Sequence, residues 1–104
     1  MQEKIVILGT GFIAGYLNSG LHYLFSKLRQ PMARNVCAIG KHPEKLAVRA
    51  DVLKDCLLCT DPIDSVLFKF NPTILIIAVP PTVAVDIAKK TLLPYYDTLR
   101  AASQ

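Results

Sequence analysis

The sequence has no tryptophan, no cluster of like charges and no apolar run of the roughly 18 residues needed to cross a bilayer. The first absence costs only an anchor. The others exclude classes. Without a basic block interleaved with aromatics, nucleic acid is not an expected partner. Without a long apolar run, neither is a membrane. Acidic residues number 8 against 12 Lys and Arg, spread from Lys4 to Arg100. The resulting +4 is a mild bias that suits a phosphorylated ligand or simply a solvated surface. Cysteine is also scarce, at 3 residues. Cys56 and Cys59 form C-x-x-C inside an apolar segment, and no second pair stands ready for a zinc site. Buried strand thiols are the expectation, and no metal site. Reduced thiols, together with a start (Met1-Gln2-Glu3-Lys4) that leads directly into an apolar segment, predict a cytoplasmic protein without a signal peptide. Repeats and low-complexity segments are lacking too.

What is present is apolar content, 52% over 104 residues, enough for one folded domain and too much for disorder. The stretch around which the rest is arranged is Ile5-Val6-Ile7-Leu8-Gly9-Thr10-Gly11-Phe12-Ile13-Ala14-Gly15. Four apolar residues predict a short buried strand. G-x-G-x-x-A follows, and then a helical pattern. That context gives each small residue a task. Gly9 lets the backbone turn out of the strand, Gly11 admits a pyrophosphate to the main chain, and Ala14 lets the helix pack close. The helix directs its free N–H groups at the phosphates.

Taken in order, residues 4–8 are the first strand and 12–29 the first helix. Ile13, Leu17, Leu21, Leu24 and Leu28 form its apolar stripe, widened by Tyr16, Tyr23 and Phe25. Gln30-Pro31 ends it. Residues 35–39 are the second strand, and Pro43 opens a helix to about Ala50. A short strand spans 56–60, and a helix capped by Thr60 or Asp61 extends to about Lys69. Residues 73–79 are the most apolar run and predict a central strand covered on both faces. A helix follows from about Val83 to Leu93, and the tail after Pro94 is weakly patterned. Alternation of strand and helix predicts an α/β fold of the Rossmann type, a parallel sheet with helices on both faces. About four of the usual six strands are expected, the pattern stopping where a fifth would begin.

The cofactor follows from another absence. An acid at the end of the second strand would hold the ribose 2′-hydroxyl of NAD. Gly40, Lys41 and His42 stand there instead. Lys41 pairs with a 2′-phosphate as a flexible cation and His42 adds a hydrogen bond, so NADP is expected over NAD.

Three motifs resemble the N-terminal domain of pyrroline-5-carboxylate reductase. They are Gly9-Thr10-Gly11-Phe12-Ile13-Ala14, Gly40-Lys41-His42-Pro43-Glu44-Lys45-Leu46 and Ile76-Ile77-Ala78-Val79-Pro80-Pro81. The resemblance covers residues 4–93. It implies that Gly9, Thr10, Gly11, Phe12 and Ile13 hold the pyrophosphate of NADPH. It also implies that Gly40, Lys41 and His42 face the 2′-phosphate, and that Ala78, Val79 and Pro80 line the nicotinamide side. Departures exist: Ile13 replaces methionine, Gly15 replaces a larger residue, and Pro80 replaces a lysine. The family's C-terminal helical domain, which builds its dimer and substrate pocket, has no counterpart in the chain. A cofactor-binding domain without turnover of its own is therefore expected, associating with itself or with a separate substrate domain. No residue pattern supplies a catalytic acid, base or nucleophile. A nucleotide-sensing or partner-binding module without catalysis is the alternative.

Overall fold

The computed structural model describes residues 2–10, 12–42 and 56–102, and the side chains of 12–18 are outside that set. The elements are β1 (Ile5–Leu8), α1 (Phe12–Leu28), β2 (Val36–Ile39), β3 (Leu57–Cys59), α2 (Ile63–Phe70), β4 (Ile74–Ile77), α3 (Pro81–Ile87), a wide π turn (Ala88–Leu92) and α4 (Leu93–Ala102). The helix expected over 43–50 lies outside the described residues.

The strands form one parallel sheet in the order β3-β2-β1-β4. The chain steps outward from β1 to β3, then returns to the far side of β1. That order is the beginning of the doubly wound arrangement, and the reversal beside β1 makes a switch point. The period of two along each strand divides the core. Ile5, Ile7, Val36 and Ala38 meet Leu21 and Phe25 of α1 on one face. Val6, Leu8, Cys37 and Ile39 meet Val66, Leu67, Ile87, Leu92 and Tyr95 of the later helices on the other. Helices thus cover both faces, as the alternation predicts.

β4 is not central. Among the described residues it pairs with β1 alone and forms one edge of the sheet, with Ile74 and Ile77 substantially exposed. Apolar content identified the strand, but strand order is set by the crossover connections.

The stripe on α1 is shifted as well. Phe25 is almost fully buried, whereas Leu28 is 40% exposed. The helix stops at Arg29, which takes a left-handed conformation (φ +53). Its N–H donates to Ser26 O (3.2 Å), and the Gln30 N–H donates to Phe25 O (3.1 Å). This pair of bonds is the Schellman arrangement, and Pro31 follows it. The chain can then fold Met32 back into the core where Leu28 was expected. Gln30 also holds the start of the sheet, its Oε1 accepting the Glu3 N–H at 2.9 Å.

Two further expectations are corrected. Neither Thr60 nor Asp61 caps α2; Pro62 stands at the N-cap, and the Asp61 carboxylate instead accepts from the Cys59 thiol at 3.3 Å. The segment after Pro94 is helical. Pro94 lies in the first turn of α4, where a missing N–H is tolerated. The preceding π turn, closed by the Leu93 N–H on Ala88 O, adds the rotation that an α-helix lacks. Ile87 and Leu92 are five apart yet both buried on the same core, and Tyr95 continues their line. The Tyr95 hydroxyl donates to Leu67 O at 3.4 Å, so this ring is held in polar as well as apolar contact.

Candidate functional site

The carboxyl ends of the strands meet in one cleft of about 730 Å³. Backbone bonds fix its floor. Gly9 N–H donates to Ile39 O (2.8 Å), Ala78 N–H to Leu8 O (2.8 Å) and Gly40 N–H to Cys59 O (2.9 Å). Each strand therefore delivers its following turn to the same side, where ligands of open α/β sheets bind.

Gly9 has φ +111, a conformation open to glycine. A Cβ there would lie 2.5 Å from Ala78 O and 3.0 Å from the Val79 side chain. Gly9 thus does the turning expected of it and also lets β1 and β4 close on one another. Thr10, half-buried, follows it on the cleft wall. Gly40 is buried beneath the wall, while Lys41 and His42 stand exposed on it. Ala78, Val79 and Pro80 line the side opposite, with Pro80 as the N-cap of α3. The three motifs that are far apart in the chain therefore share one cleft. Phe12 and Ile13 open α1, but their side chains, like Gly11 entirely, lie outside the described residues.

The cleft also contains groups that the motif reading passed over. Asp61, Asp64 and Asp86 line it, together with Lys90. Asp61 follows β3 just as Lys41 follows β2, and the Gly40–Cys59 bond places the two turns side by side. The rule about strand ends applied to every strand, so β3 was the available signal. Asp86 and Lys90 share a face of the helix with Val83 and Ile87, a spacing visible in the sequence once α3 is extended to Thr91. Asp86 and Lys90 form an ion pair at 3.0 Å.

The thiols do not form a reactive pair. Cys56 packs with the α1-side core and Cys59 with the opposite one. The Asp61 N–H donates to Cys59 Sγ at 3.4 Å, so Cys59 helps set the loop at the end of β3. Cys37 is buried behind the cleft, and its thiol is pushed up to about 11, first by burial and then by Cys59, Cys56 and Asp61. It is a neutral packing group at physiological pH and a poor nucleophile. Among the described residues no cluster of His, Cys, Asp and Glu could hold a metal ion, and no helix is long and apolar enough to cross a membrane.

No family model, curated protein or solved structure matches the chain.

Proposed function

We propose that the chain is the NADP(H)-binding domain of a cytoplasmic oxidoreductase similar to pyrroline-5-carboxylate reductase. The observation that carries this reading is the convergence of the Gly9–Thr10, Gly40–His42 and Ala78–Pro80 turns on one cleft at the strand ends. The residues suit the group. A glycine turn opens on the cleft, a cation stands beyond β2, and a largely apolar wall follows β4. In this reading Gly9 to Ile13 receive the pyrophosphate, Lys41 and His42 the 2′-phosphate, and Ala78 to Pro80 the nicotinamide. The bound cofactor supplies a hydride, to an imine carbon in the resembling family. The chain's own residues orient the cofactor and keep water from one of its faces.

Asp61 favours a second reading. Its turn lies beside the Lys41 turn on the same cleft, where a carboxylate weakens the pull on a 2′-phosphate and is itself an acceptor for a ribose hydroxyl. NAD would then be the ligand. Fluorescence titration with NADPH and NADH separates the two. Gly11→Val adds a test of the loop: binding should vanish with the circular dichroism spectrum unchanged, and normal binding by this variant would move the site elsewhere. A steady-state assay with pyrroline-5-carboxylate and NADPH addresses turnover.

A further inference from the structure

Lys41, the cation considered for the cofactor, lies on one side of β1, beyond β2. On the other side the helix that follows β4 brings Lys90 to the same cleft. Lys90 belongs to the π turn Ala88–Leu92, a distortion that recurs at functional sites. Here it keeps Ile87 and Leu92 in the core while Lys90 and Thr91 line the cleft. The ammonium is 3.0 Å from Asp86 Oδ1, one turn earlier on the same wall. Their side chains are 76% and 59% exposed, so water screens the pair and it holds the lysine weakly. A diphosphate offers more charge than one carboxylate, and a charge-assisted bond to it is stronger than an exposed i,i+4 pair.

We infer that Lys90 is a second anion contact of the cleft, held by Asp86 when the cleft is empty and released to the diphosphate at the Gly9–Thr10 turn. This rests on the dinucleotide reading for its natural ligand, but its chemistry is that of a diphosphate. It makes Asp86 a brake on binding. The carboxylate both competes for Lys90 and repels the incoming anion. Lys90 differs from Lys41 in what it distinguishes. The diphosphate is common to NADPH and NADH, so Lys90 acts on both, whereas a 2′-phosphate contact acts on NADPH alone.

The test titrates wild type, Lys90→Gln, Asp86→Asn and Lys41→Gln with NADPH, NADH and inorganic pyrophosphate, using calorimetry. Both residues are exposed on their helix, and circular dichroism checks each fold. Lys90→Gln should weaken all three ligands about tenfold, the size of one charge-assisted hydrogen bond. Asp86→Asn should tighten all three several-fold. Lys41→Gln should weaken NADPH and leave NADH unaffected. Wild-type affinity for every ligand in Lys90→Gln would overturn the inference, as would failure of wild type to bind pyrophosphate and both cofactors. Lys90-dependent binding of pyrophosphate without binding of either cofactor would uphold the diphosphate contact and remove the dinucleotide reading.

Discussion

β1 and β4 are neighbours in register, Ile5 opposite Ile74 through Leu8 opposite Ile77. They are nearly the same in composition, Ile-Val-Ile-Leu against Ile-Leu-Ile-Ile. Yet every residue of β1 is at most 1% exposed, while Ile74 and Ile77 of β4 are 39% and 43% exposed. Hydrophobicity makes both strands; position in the sheet decides what each is worth. β1 is paired on both sides and covered on both faces. Among the described residues β4 is paired on one side only, and a free strand edge is where sheets associate. The site inherits the contrast. Its floor at Gly9 is braced between two strands, whereas the Ala78–Pro80 wall is held from one side.

The largest effect should come from the paired substitution that isolates position from composition. Ile5→Ala removes a fully buried side chain and should cost about 3–4 kcal/mol in urea unfolding. Ile74→Ala, its partner in the ladder, should cost about 1 kcal/mol, since much of that side chain already meets water. Equal costs would mean that β4 is covered in solution by another chain, and the cost of Ile74→Ala should then fall as protein concentration is lowered.

Gly9→Ala comes next, at about 2–4 kcal/mol, because the added Cβ meets both an unfavourable φ and the Ala78 carbonyl. A neutral result in the same unfolding experiment would mean that β1 and β4 part easily at the cleft. Smaller again is the alkaline sensitivity of β2, the other central strand. The Cys37 thiol has an ordinary value of 9.0 and is pushed to about 11 in the fold. Its neutral form is the one the fold prefers, so the contribution is complete below pH 9 and is lost as pH rises toward 11. The loss should amount to about 2–3 kcal/mol. Tyr95, raised from 10.0 by burial and then by Tyr96, adds in the same direction at higher pH. Cys37→Ala should flatten the fall between pH 9 and 10; an unchanged profile would place its cause elsewhere.

The same comparison explains what was legible beforehand. The order of the described elements came through because Ile5–Leu8 ends at Gly9, the apolar run 73–79 lies between Pro72 and Pro80, and α1 has a clear helical period. β4 was expected as a central strand that becomes an unprotected edge wherever no fifth strand covers it, and among the described residues it is that edge. The helical tail was hidden because Pro94 reads as a breaker, and only the π turn before it restores the core-facing line. In the cleft, the turn at Gly9 was readable because its φ demands glycine, and the position of Lys41 and His42 because they directly follow a strand. The presence of Asp61 and the Asp86–Lys90 pair in the cleft was not, because it depends on which turns and helix faces the sheet brings together.

The central claim is that the cleft at the strand ends selects a 2′-phosphorylated dinucleotide through the turn after β2. The most direct test is titration of the purified chain with NADPH and with NADH, repeated with Lys41→Asp. NADPH should bind about ten- to a hundredfold more tightly than NADH, the range of one charge-assisted bond, and Lys41→Asp should abolish or reverse that preference. Equal affinity for the two cofactors, or tighter binding of NADH by wild type, would contradict it.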